Sequence, residues 1–154
     1  MNIRSFSGTG DPGGENLVVG WDRTPAAQAA LAAAVDLAGK LRAQLHIAHI
    51  ADDSDLGVDP DSPTWEEQTK AAADEKAHWL RGQLRGLDTG WTYYSARGSA
   101  AAVLGQVARE SGSRIVVIGK HRRGVAGLLS RVTRRPLADE LVDAGLQVLV
   151  VPPA

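Results

Sequence analysis

The chain has 154 residues, no cysteine and a formal net charge of −1, the size of one ordinary domain, which buries about 70% of the surface its unfolded chain exposes and needs no staple. The absence of cysteine excludes disulfides and thiolate metal sites. A balance this close to neutral argues against general nucleic-acid affinity, and no apolar run approaches the ~20 residues that span a bilayer.

Residues 1–14 contain Arg4 but lack the apolar stretch of a signal peptide. Their small, glycine-rich composition predicts a flexible tail ahead of one domain over 15–154. These features predict a cytoplasmic protein, with neither nucleic acid nor a membrane as a partner.

The first element is a short β-branched run, residues 16–21, bounded by Asp22 and Pro25 and too short for a buried helix. Thr24 is placed to cap a helix that opens with Pro25 and continues, alanine-rich, to Leu41. A second strand is predicted over 44–50, followed by a loop holding Asp52, Asp53, Asp55, Asp59 and Asp61 without a base. A helix over about 63–84, a strand over 91–96 and a helix entered through Gly98 and Ser99 come next. Residues 114–119 are almost continuously apolar, as in a strand covered on both faces. A basic loop leads to a helix near 136–144 and a last strand over 146–151, stopped by Pro152 and Pro153.

Alternating strands and helices imply one parallel α/β sheet with right-handed crossovers and helices on both faces. Ligands in such sheets sit beyond the carboxyl ends of the strands, where the strand order reverses. That selects residues 21–24, 50–52 and 119–127.

The turn after the first strand, Gly20-Trp-Asp-Arg-Thr-Pro25, is too bulky for a Gly-x-Gly-x-x-Gly dinucleotide turn, and no P-loop occurs. Asp22 reads either as a turn or capping carboxylate or as an acceptor for a ribose hydroxyl or adenine amino group. Gly119, Gly124 and Gly127 read either as a flexible connection or as backbone that turns N–H groups toward a phosphate. Lys120, Arg122, Arg123, Arg131, Arg134 and Arg135 surround them without an acid, and arginine forks match phosphate oxygens. His46 and His49 lie within a strand, one expected in the core and the other partly exposed. His78 is expected on a helix surface, and His121 lies in the anion loop. The aspartate cluster departs from the calcium-loop template. No nucleophile elbow, carboxylate pair or metal triad stands out, so an enzyme is not expected.

Several segments together resemble the universal stress protein family. They are Leu17-Val-Val-Gly-Trp-Asp22 followed by Pro25 and the alanine-rich helix, His49 near the end of its strand, and Gly98-Ser-Ala-Ala-Ala-Val-Leu104. Ile115-Val-Val-Ile-Gly-Lys-His121 and the closing Leu146-Gln-Val-Leu-Val-Val-Pro152 complete the match, which covers roughly residues 15–152. The resemblance implies a three-layer α/β sandwich with a five-stranded parallel sheet in the order 3-2-1-4-5, the adenine-nucleotide α-hydrolase-like fold. It also implies a homodimer paired through the last strand, Leu146 to Val151.

Family members that bind ATP or related adenine nucleotides carry Gly-x2-Gly-x9-Gly-Ser/Thr after the fourth strand; another branch lacks the motif. Here the first glycine is Gly119, His121 matches the histidine between the glycines, Arg122 replaces the second glycine, and Val132 the third. Thr133 keeps the hydroxyl position. The spacing to the last strand is about two residues longer than usual, which makes Ser130 the alternative hydroxyl. Asp22 matches the aspartate beside the adenosine and Ile50 the apolar adenine contact. The resemblance therefore implies either a dimeric stress-response module that engages protein partners around a degenerate nucleotide site, or a binder of ATP, AMP or a cyclic nucleotide whose basic loop replaces the glycines.

Overall fold

A computed structural model describes residues 4–7, 14–22, 24–50, 65–87, 89–120 and 136–153. The elements in chain order are β1 (Arg4–Ser7), β2 (Glu15–Trp21), α1 (Pro25–Leu41), β3 (Ala43–Ile50), α2 (Trp65–Gln83), β4 (Trp91–Ala96), α3 (Ala100–Ser111), β5 (Ile115–Gly119), α4 (Leu137–Asp143) and β6 (Gln147–Val151).

Local chemistry sets the helix ends. Thr24 Oγ1 accepts from the Ala27 N–H at 3.2 Å, and Pro25 opens α1 where its missing donor costs nothing. Ser99 caps α3 in the same way through the Ala102 N–H, and Gly112 closes it in the left-handed region at φ 70°. Arg42 ends α1 at φ 53°, its N–H donating to the carbonyls of Ala38 and Gly39.

Five strands run parallel in the order β4-β3-β2-β5-β6, the expected topology. Side chains alternate across the sheet. Leu17, Val19 and Trp21 of β2 pack with Leu45 and Ile47 of β3 beneath α1 and α2. Val18, Ala48, Val116 and Ile118 pack on the other face with Val103, Leu104 and Val107 of α3 and Leu141 of α4. The alanines of α1 let the helix lie close to the strands.

Residues 4–7 depart from the expected tail. They form β1, antiparallel to β4, in a register running from Arg4↔Ser95 to Ser7↔Thr92. Its partner strand is far away in sequence, so no local pattern betrays it. The other part of that tail falls mostly outside the described residues.

Candidate functional site

The chain leaves β2 toward β3 and β4 on one side and returns through β5 and β6 on the other. The carboxyl ends of β2 and β5 therefore flank the switch point, and the first turn of α1 closes over it. The Asp22 carboxylate accepts from both the Thr24 N–H, at 2.7 Å, and the Thr24 hydroxyl through the same oxygen, Oδ1. Of its two readings, the turn carboxylate is the one the geometry displays: Asp22 holds Thr24, and Thr24 caps α1.

Gly119 has a packing role that spacing alone did not show. A Cβ there would lie 2.5 Å from the carbonyl carbon of Ala26 and 3.0 Å from its Cβ. Only glycine lets β5 end against the first turn of α1. The next amide, Lys120 N–H, donates to the Val151 carbonyl at 2.8 Å and extends the β5–β6 ladder. Ile50 is partly buried on the α3 face of the sheet. The structure thus brings Asp22 and Gly119 together around the start of α1, with Ile50 at the end of the neighbouring strand β3. His121, Arg122, Ser130 and Thr133 lie outside the described residues.

A second cluster occupies the α1–α2 face at the carboxyl ends of β2 and β3. Trp21 stacks on Trp79 of α2 at 5.7 Å between ring centroids and 12° between planes, and meets Tyr93 edge-on and His49 at a tilt. Lys76, one helical turn before Trp79, is buried, with Nζ 3.0 Å from His49 Nε2. The Trp21 indole N–H is buried without an acceptor among the described residues. The sequence signal for this cluster was Lys76 within the apolar helical stripe that also contains Ala72, Trp79 and Leu80.

The expectation that one strand histidine would be partly exposed is corrected: His46 and His49 are both buried. His46 Nε2 donates to Asn16 Oδ1 and Nδ1 accepts from the Tyr94 hydroxyl, each at 2.9 Å. Burial lowers its pKa from 6.5 to about 4, so it is a neutral structural histidine. His78 is exposed on α2, as expected. Among the described residues no group of His, Asp or Glu side chains is placed to hold a metal ion, and no helix is long and apolar enough to cross a membrane.

Solved structures similar to this fold share little sequence with it. Universal stress protein UspA from Lactobacillus plantarum is 21% identical, over 89% of this chain and 97% of that chain, with a TM-score of 0.59. A universal stress protein in complex with cAMP is 19% identical, over 91% and 98%, with a TM-score of 0.58. A protein of the universal stress protein family from Burkholderia pseudomallei is 22% identical, over 93% and 100%, with a TM-score of 0.55. Likeness at this level speaks for the fold. No curated protein matches the sequence. The sequence model of the universal stress protein family matches residues 14–139, which takes in β2 through most of the described core. The chain therefore belongs to the universal stress protein family.

Proposed function

We propose that this protein acts as a homodimeric regulatory module of the stress response, recognising protein partners around a degenerate nucleotide site and carrying out no reaction of its own. The observation that carries this reading is the edge of the sheet at β6, which pairs with no strand on its outer side among the described residues. Leu149 and Val150 point to opposite sides of β6, and each is 42% exposed. An uncharged edge strand with apolar side chains on both faces invites a second strand. The site itself supports the same reading, because Asp22 Oδ1 is engaged by Thr24 and the Lys120 N–H by Val151. Arg122 and Val132 replace two of the glycines that bring backbone close to phosphate.

Sedimentation at micromolar concentration is expected to show a dimer. Leu149→Asp/Val150→Asp, at two half-exposed positions that leave the core intact, is expected to give a folded monomer. A monomeric parent chain would remove the reading.

Adenine-nucleotide binding is the second reading. It is favoured by the similar protein in complex with cAMP and by the acid-free basic run between Lys120 and Arg135. Thermal unfolding with millimolar ATP, AMP and cyclic AMP separates the two. A ligand at 100 times its Kd stabilises the native state by ~2.7 kcal/mol, which is a shift of roughly 5–10 °C for this chain length. The degenerate site predicts no shift. A shift that disappears in Arg122→Ala would put the nucleotide reading first.

A further inference from the structure

The sheet has a second edge, and its occupant is the segment Arg4–Ser7 of this chain. β4 reads Trp-Thr-Tyr-Tyr-Ser-Ala, without a charge or a proline, so it has none of the devices by which edge strands deter pairing. β1 covers it with four residues in antiparallel register. The outermost strand becomes a four-residue segment bearing Arg4 in place of a six-residue aromatic one. Short length and charge are both edge-blunting features.

The connection is geometrically simple. Ser7 stands opposite Thr92 near the start of β4, and Glu15 opposite Ala43 at the start of β2 and β3, so both ends of the link lie at the amino edge of the sheet. From β1 to β2 is three strand spacings, roughly 14 Å. The seven residues 8–14 reach about 24 Å when extended. The chain can therefore cover its own edge without lending β1 to a neighbour.

We propose that β1 is a detachable cover, and that the β4 edge beneath it is a self-association surface for the β4 edge of a second copy. β1 shows that this edge accepts an antiparallel strand. Two β4 strands related by a two-fold axis perpendicular to them run antiparallel, and neither carries a charge to repel the other. A four-residue strand paired along one side only belongs to the low-stability end of a structure, where local opening is frequent. The surface is separate from β6 and does not depend on the dimer proposed above.

The test uses the full chain with Ser5→Pro/Phe6→Pro. Adjacent strand residues turn their N–H groups to opposite sides, so one of the two prolines removes a β1–β4 hydrogen bond whichever residue donates it. Hydrogen exchange is expected to accelerate about tenfold or more at alternate amides of residues 92–95 at low concentration. At high concentration, sedimentation is expected to show species larger than those of the parent chain. In the Leu149→Asp/Val150→Asp background the same prolines should yield dimers, which separates this surface from β6. A chain beginning at Gly14, where the family match starts, gives the same readouts without introducing proline. Unchanged exchange at 92–95 would overturn the cover. Faster exchange with the parent's sedimentation at every concentration would overturn the association surface.

Discussion

Gly119→Ala is expected to destabilise the protein by about 3 kcal/mol or more, a fall in Tm of roughly 6–12 °C. The added methyl would sit 2.5 Å from the Ala26 carbonyl carbon, against the roughly 3.5–4.0 Å that nonbonded carbons prefer. Neither side yields easily. β5 is held between β2 and β6, and the first turn of α1 is held by Thr24 and, through it, by Asp22. Gly20→Ala is the internal control, because its Cβ would meet only side-chain carbons of Leu104 and Ile118, at 3.5 and 3.6 Å. That change is expected to lie within about 1 kcal/mol of the parent. Urea unfolding of the three proteins without nucleotide decides the matter. Equal stabilities for Gly119→Ala and the parent would mean that β5 does not close on α1 as described.

The second large effect is acid lability through His46. In the folded state it stays neutral down to about pH 4, because burial disfavours the imidazolium. In the unfolded chain it takes up a proton near pH 6.5. Between these values the unfolded state binds more protons, so stability falls as pH falls. This contribution is fully present above pH 6.5, declines from 6.5 to 4 and is constant below. The total is about 3 kcal/mol. Carboxylates also titrate near the lower end, so the informative quantity is the difference from His46→Gln, a neutral side chain able to face Asn16 and Tyr94. Parent and variant are expected to converge by about 3 kcal/mol in urea unfolding between pH 7 and pH 4. Parallel curves would show that His46 is solvated. Tyr94 belongs to the same network, and burial and the charge of Glu110 raise its hydroxyl pKa above 10.0 against the lowering effect of a hydrogen bond from Thr92.

Much of the fold is written in local pattern. The central parallel strands are apolar on both faces because both faces are covered, so runs such as Ile115-Val-Val-Ile are legible at once. Thr24-Pro25 and Ser99 announce the starts of α1 and α3 by their capping chemistry. The alternation of elements implied the parallel sheet, and the family resemblance supplied its strand order before any coordinate. The candidate site was less legible. Asp22 carried two readings that no neighbour in sequence separates, since a carboxylate before a helix serves a cap or a ligand equally well. His46 and His49 differ little in local context, yet one meets Asn16 and Tyr94 and the other Lys76 and Trp21, on opposite faces of the sheet.

What the sequence determined by itself is the order and type of the elements from β2 onward and the parallel sheet they form. Each rests on short-range periodicity, capping or residue identity. Tertiary structure decided what depends on pairs distant in the chain. Gly119 is required by Ala26, the buried Lys76 Nζ lies within hydrogen-bonding distance of His49, and residues 4–7 pair with β4. Backbone clearance, a buried amine's partner and a strand pairing are properties of two segments at once, and they exist only when folding brings those segments within a few ångströms.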